Sequence, residues 1–383
     1  MARDFRNLSR QVAIIGVAEP DQMGIVPDKS PIQLHAEAAW NAMEDAGVKK
    51  EEIDAVFTAG LGTLQQAEYF GIFPRYTDGT SVGGSSFVIH VGHAAMAIAN
   101  GLCEMALITH GASGRSRVGG AGGGPGGEGA ALWTGWQGVV GQPSQYSLAA
   151  RRHMYQYGTS NDDLAEIAVA TRKWAQLNPM ALMRDPMTFE DYHNSRWISY
   201  PFHLLDCCLV TDAGGAVLLT SAERAQNYKK KPVYVLGFGE SHTHAGINAM
   251  PDLTWTAARV SGPRAFAMAG VEHKDFDFVE LYDSFTYTVG VTLESLGFCG
   301  PGEFGQFVKG QRTAPGGAFP MNTNGGGLSY THPGMYGIFT IIEAVRQLRG
   351  EAGERQVPNA KIGLIHGTGG TYSSTGTAVL TNQ

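Results

Sequence analysis

AGVKKEEIDAV (46–56) and AGVEHKDFDFV (269–279) lie over one another without a gap. Ala, Gly and Val open both stretches, an Asp and a Val recur in register, and Ile53 is matched by Phe276. Each stretch joins a helix-like pattern to an apolar run. Before the first, QVAIIGVAE (11–19) has the short, β-branched look of a buried strand. KSPIQLHAEAAWNAMEDAG (29–47) then reads as a helix, with Ser30 as cap, Pro31 at its first position and Gly47 at its end. Ile32, Ala36, Ala39, Met43 and Ala46 share one face of it. IDAVFTAG (53–60) is the next strand, so the whole is a β-α-β unit. Before the second stretch, PVYVLGFGE (232–240) and TAARVSGPRAFAMAG (256–270) repeat the strand and the helix, and FDFVEL (276–281) is the strand after them.

The echo continues downstream. SSFVIHVGHAAMAIANG (85–101) followed by ALITHGASG (106–114) parallels THPGMYGIFTIIEAVRQLRG (331–350) followed by GLIHGTGG (363–370). Several matches in one order indicate a duplicated α/β lobe. The halves fall at about 1–120 and 231–383. The insertion 121–230 between them takes in most of the Gly-rich GGAGGGPGGEGA (119–130), which reads as a flexible or tightly turning loop. It also holds a helix over SNDDLAEIAVATRKWAQ (160–176) and a returning strand in LLDCCLVTDAGGAVLLT (204–220). Two sheets packed through shared central helices are expected. The starts of those helices, after GGSS (83–86) and THPG (331–334), would present free N–H groups and a positive dipole end to the middle of the molecule. An active site between the halves follows from the duplication.

Bulk properties narrow the function. With 43% hydrophobic and 16% charged residues, a sizeable core is available and disorder is not expected. The net charge is −7 with no basic block, so the footprint of a nucleic-acid binder is missing. No apolar run approaches a membrane span and the start, MARDFRNLSRQ, has no apolar signal core, so a soluble cytoplasmic protein is expected, without membrane insertion. Cys103, Cys207, Cys208 and Cys299 fit neither a zinc framework nor a disulfide scaffold and read as reduced, mostly buried thiols.

The duplicated layout, the HPG at 332–334 and the HGTGG at 366–370 resemble the thiolase superfamily. AARRHMYQYGTS (149–160), LLDCCLVTDAGGAVLLTS (204–221), GESHTH (239–244) and LSYTHPG (328–334) resemble segments of its sterol-carrier-protein-type members, in order along the whole chain. The resemblance implies a five-layered α-β-α-β-α fold from two duplicated halves with a loop-domain insertion. It also shows departures. A thiolase carries its nucleophilic cysteine at the start of the first central helix, a position that falls here within SVGGSSFV (81–88), and Cys103 lies too far downstream. The second site of sterol-carrier-type thiolases reads His-Asp-Cys-Phe; here it is YDSF (282–285). A thiolase frame without its cysteines, with ELYDSFTYT (280–288), resembles the thiolase-like aldolases of steroid side-chain degradation. That resemblance implies retro-aldol cleavage of a β-hydroxyacyl-CoA to a carbonyl compound and a shortened acyl-CoA. It further implies a homodimer, a small partner with an OB-fold and often a zinc ribbon, and no cofactor beyond the coenzyme A of the substrate.

The chemistry fits these residue types. Retro-aldol cleavage needs a base for the hydroxyl, donors for the thioester enolate, and a proton for its carbon. His332 is the candidate enolate-side donor. Tyr282, Tyr287 and Tyr336 are candidates for proton transfer or hydroxyl positioning, although only about one tyrosine in a thousand is ionised at pH 7 without help. Tyr282 and Tyr287 are too close in sequence to face the same way easily, so one is expected to be structural, satisfying its hydroxyl in the core. Ser284 can position. His366 stands where other thiolases carry a cysteine, which makes it a secondary acid–base candidate. Asp283 suits holding loop N–H groups. Ser85 and Ser86 line the position of the missing nucleophile. His244, in GESHTH, and Gly369 are expected to border the coenzyme A channel by resemblance. His90 with His93, and His242 with His244, lack a third ligand, so no metal is expected. GGAGGGPGGEG and VLGFGESH lack the rest of a phosphate or dinucleotide fingerprint. Two other readings remain open: an acyltransferase using Ser85, Ser86 or another residue, and a silent acyl-CoA carrier.

Overall fold

The computed structural model describes residues 8–118, 139 and 141–383. GGAGGGPGGEGA (119–130), read above as a loop, lies outside them. The N-terminal half contains β1 (Val12–Ala18), α1 (Pro31–Ala46), β2 (Ala55–Thr58), α2 (Thr63–Phe70), β3 (Tyr76–Asp78), α3 (Ser86–Ala99) and β4 (Met105–Ser113). The insertion adds α4 (Gly141–Tyr157), α5 (Asn161–Gln176) and a hairpin of β5 (Trp197–Ser199) and β6 (Phe202–His203). Strand β7 (Asp212–Ser221) then returns to the N-terminal half. The C-terminal half contains β8 (Val233–His242), α6 (Ala258–Ala269), β9 (Phe278–Leu281), α7 (Thr286–Leu296), α8 (Gly337–Arg349), β10 (Ile362–Gly369) and β11 (Ser374–Thr381).

The two echoed stretches fold alike, and for the same reasons. Gly47 and Gly270 end their helices in the left-handed region, at φ 72° and 69°. A single tight turn follows each, Lys50–Glu52 and His273–Asp275, closed by a side chain: Lys49 N donates to Glu52 Oε1 and Glu272 N to Asp275 Oδ2, both at 2.8 Å. The recurring aspartate has one job in both copies. Asp54 accepts from the backbone of Glu104 and Met105 (2.9 Å each), and Asp277 from Lys361 and Ile362 (2.7 and 2.9 Å). Each therefore fixes the start of the neighbouring parallel strand.

Strand order is β3-β2-β4-β7-β1-β8-β11-β10-β9. Read from the middle outwards, β1-β7-β4-β2 mirrors β8-β11-β10-β9, with the pairs β2/β4 and β9/β10 parallel and the other pairs of these runs antiparallel, while β3 is added parallel to β2 at the edge of the first half. The halves do not form two separate sheets. β1 and β8 pair through Ala13↔Tyr234 and Ile14↔Val233, which joins them into one folded sheet. α3 and α8 are buried on nearly every side and pack between the halves. α1 covers the outer face of the first half and α6 that of the second, giving the five layers. Gly16 and Gly237 permit this covering: a Cβ on either would lie 2.5 Å from Ala42 O or 2.3 Å from Ala265 O. In the insertion, Ser160 caps α5 by exchanging hydrogen bonds with Asp163. All four cysteines are free; only Cys103 is buried, whereas Cys207, Cys208 and Cys299 are partly accessible.

Candidate active site

β9 ends at Leu281 and α7 begins at Thr286, so YDSF is the crossing between them. Tyr282 N still donates to His366 O (3.0 Å), which carries the strand one residue further and turns the Tyr282 side chain into the central layer. Asp283 stays at the crossing. Its Oδ1 accepts from Gly327 N (2.6 Å) and its Oδ2 from Leu328 N (3.2 Å), pinning the wide helical turn Gly326–Tyr330 that precedes HPG. Burial pushes the Asp283 carboxyl up to about 7 against the pull of those two N–H groups.

The turn delivers His332 to Tyr282. The Tyr282 hydroxyl lies 2.9 Å from His332 Nε2. Burial lowers His332 to about 4, so the ring is neutral at pH 7. Gly334 N donates to Nδ1 (3.3 Å), which places the ring proton on Nε2, directed at the Tyr282 oxygen. With the His332 N–H received, the Tyr282 hydroxyl proton is left to point elsewhere. Burial nevertheless pushes Tyr282 well up, so the resting group is a phenol and a proton donor. The Tyr282 ring stands perpendicular to both His332 and Tyr336, with centroids 5.7 Å away in each case. Tyr336 donates to Asn324 Oδ1 at 2.7 Å.

At the start of α3 the facing residue is Gly84. A Cβ there would lie 2.0 Å from Tyr282 Cε2 and 2.8 Å from its hydroxyl oxygen. The tyrosine thus occupies the space into which a side chain at 84 would project. Neither serine fills the gap. Ser86 Oγ donates to Gly83 O (2.6 Å) and accepts from Val82 N (3.0 Å). Ser85 Oγ is 3.0 Å from Ser374 Oγ, which in turn is 2.9 Å from His242 Nδ1, so Ser85 has no base in direct contact. His244 and Gly369 collect at the β10–β11 turn. His244 Nε2 is 2.9 Å from Thr371 O, and Gly369 packs against Val82 O.

Three candidates do not join Tyr282. Tyr287 lies in α7 within the outer core, its ring against His153 and Tyr372 and its hydroxyl 3.4 Å from Leu253 O. Ser284 turns outwards to Thr288 Oγ1 (2.9 Å). His366 Nδ1 is 2.8 Å from Thr377 Oγ1, which is 2.8 Å from Ser261 Oγ on the outer helix α6. Side chains alternate along a strand, so His366 faces outwards while Gly367 faces Ser85 across the central layer. Tyr330 is also tied elsewhere, donating to Glu19 Oε1 at 2.6 Å. Sequence reading missed Gly84 and Asn324; the paired glycines before SSFV and the NGGG before LSYTHPG were the available signals. Among the described residues no group of three or more His, Cys, Asp or Glu is placed to hold a metal ion, and no helix is long and apolar enough to cross a membrane.

Residues 239–382 match the family described as thiolase C-terminal domain-like. The chain is 34% identical to an acetyl-CoA acetyltransferase of Methanothermobacter thermautotrophicus, over 94% of this chain and 97% of that one. It is 32% identical to the 17-hydroxy-3-oxo-4-pregnene-20-carboxyl-CoA lyase of Mycobacterium tuberculosis, over 90% of this chain and 92% of the other. The solved Ltp2-ChsH2(DUF35) aldolase superposes with a TM-score of 0.88 at 30% identity, covering 98% of both chains. The chain belongs to the thiolase superfamily, among relatives that include both lyases and acyltransferases.

Proposed function

We propose that the protein is an aldolase that cleaves a bulky β-hydroxyacyl-CoA, such as a steroid side-chain thioester. The observation that carries this reading is the Tyr282 ring lying over Gly84 with its hydroxyl at His332. The start of the first central helix then offers no nucleophile, while the start of the second offers donors and a phenolic proton. In the cleavage, the substrate hydroxyl loses its proton and becomes a carbonyl as the Cα–Cβ bond breaks. The bonding pair passes to Cα as a thioester enolate, and a proton returns to that carbon. Donors fixed at the enolate oxygen supply the main stabilisation, while Tyr282 gives its phenolic proton to Cα and its oxygen, held by the Nε2–H of His332, takes the proton of the substrate hydroxyl, which restores the phenol.

Similarity to lyases over nearly the full length supports this reading. The superposition on an aldolase named with a DUF35 chain supports a small OB-fold and zinc-ribbon partner here. A homodimer is part of the proposal, with β3 as a sheet-edge strand that a second copy can extend. No cofactor beyond the substrate's coenzyme A is called for.

The test incubates the protein, alone and with its partner, with a branched β-hydroxyacyl-CoA and follows both fragments by mass spectrometry. Both should appear. Tyr282→Phe should lower the rate by about 10²–10⁴, and Ser85→Ala should leave it within a few-fold. An acyl-enzyme trapped on a serine, or tight binding without cleavage of any such ester, would overturn the proposal in favour of an acyltransferase or a carrier.

A further inference from the structure

Around the segment that carries His332, four large aliphatic side chains stand exposed outside the core. Four segments meet there. Gly24 and Asp212 exchange two backbone hydrogen bonds of 2.8 Å, which sets Ile25 beside the chain that leads back to Val210. Leu182 N and Met183 N donate to Tyr330 O (3.2 Å) and Ser329 O (2.9 Å), just before His332. The Leu182 side chain closes on Gly24, with Cδ2 3.1 Å from where a Cβ would stand. Thr211, adjacent to Val210, donates from N to His332 O (3.2 Å) and accepts at Oγ1 from His332 N (3.0 Å). Ile25, Val210, Leu182 and Met183 are 69%, 60%, 40% and 39% exposed and belong to none of the core clusters. Large aliphatic side chains this exposed, brought together from separate segments, mark surface kept for an occupant.

We propose that Ile25, Leu182, Met183 and Val210 form a shelf for the apolar body of the acyl group and select a fused-ring or heavily branched thioester over a short linear one. The proposal rests on the aldolase reading for the thioester. Continuity with the site names the occupant: Leu182 and Met183 are hydrogen-bonded to the segment that carries His332, Val210 adjoins Thr211, which is bonded to His332 itself, and Ile25 follows Gly24, which pairs with Asp212 next to Thr211. A group lying on the shelf is therefore an extension of whatever reaches His332. The polar coenzyme A end has no use for such a surface, whereas a hydrophobic acyl body does. Methionine and leucine adapt their shape to a rigid ring system.

The experiment measures binding by calorimetry with the full chain, using a fused-ring acyl-CoA without a β-hydroxyl, butyryl-CoA and free coenzyme A. Met183→Ser and Val210→Ser should each weaken the fused-ring ester roughly tenfold, the scale of a lost apolar contact in a pocket. Butyryl-CoA and coenzyme A should change less than about twofold, and Met183→Leu should bind as the parent does. Equal weakening of all three ligands, or of none, would overturn the proposal. So would unchanged binding accompanied by loss of self-association or partner capture in sedimentation, which would make the shelf a protein interface. Because the probe cannot be cleaved, absence of aldol cleavage in the previous test would sink the activity and leave this result standing by itself.

Discussion

The two halves share a scaffold and differ in chemistry. Each runs strand, helix, left-handed glycine, tight turn and aspartate-anchored parallel strands, and each aims the start of a central helix at the middle of the molecule. At the start of α3 stand Gly83, Gly84 and two serines already engaged, Ser86 with Gly83 O and Ser85 with Ser374 of the other half. At the start of α8 stand His332, Tyr336 and, from β9, Tyr282. One copy has become a floor and the other a set of donors. The lesson is that duplication preserves backbone geometry, whereas function follows which side chains the facing copy leaves room for.

The strongest way to break this arrangement is to cut the ties between halves. Glu19, just past β1, accepts from Arg346 of α8 (2.7 Å) and from Tyr330 (2.6 Å). Burial alone would raise the Glu19 carboxyl, but Arg346 and the hydrogen bonds outweigh it and hold it below the usual range. Glu19→Ala strands a partly buried guanidinium and a buried Tyr330 hydroxyl and should cost roughly 3 kcal/mol in denaturant unfolding. Its contribution in the parent is present above the ordinary carboxylate pKa and is lost as pH falls through the depressed one. Unchanged stability in the variant would mean the halves hold without this tie.

Gly84→Ala sharpens the asymmetry. The new Cβ must displace the Tyr282 ring, so overpacking of about 1–3 kcal/mol is expected together with loss of cleavage. A melting curve with an activity assay checks it; full activity would show that Tyr282 can leave its place without consequence. A second tie is gentler. His93 of α3 lies 2.5 Å from Asp78 of β3 and 3.0 Å from Glu240 of β8, and these two hydrogen bonds push it up to about 9. Its folded pKa is raised, so its stabilisation is full below about pH 6.5 and is lost as pH rises through about 9. Stability measured from pH 6 to 10 should fall in that window in the parent and stay flatter in His93→Gln. Smallest of all, Tyr287→Phe removes a hydroxyl with one long bond and should cost less than about 1 kcal/mol, with cleavage kept. Loss of cleavage there would move the site into the outer layer.

Much of this was legible in the residues. The repeat of AGVKKEEIDAV gave away the duplicated β-α-β units, and Ser30, Pro31 and Gly47 marked the limits of α1, because caps and periodic apolar faces are local properties of the chain. YDSF and HPG identified the segments that meet at the site. Which members of those segments meet was not local. Whether Tyr282 or Tyr287 turns inwards depends on one further backbone bond to His366 O, and whether His366 or Gly367 faces α3 depends on register, since a slip of one residue exchanges the faces of a strand.

By itself, then, the sequence determined the element order, the repeat and the residue types available for proton transfer. Tertiary structure alone decided that β1 and β8 join the halves into one sheet, that Gly84 yields its space to Tyr282, and that Glu19 reaches Arg346. Those contacts span 198 to 327 residues of separation for the last two. The physical reason is that local patterns fix conformation over a few residues, while the direction a side chain takes at the end of a strand is set by whatever distant surface packs against it.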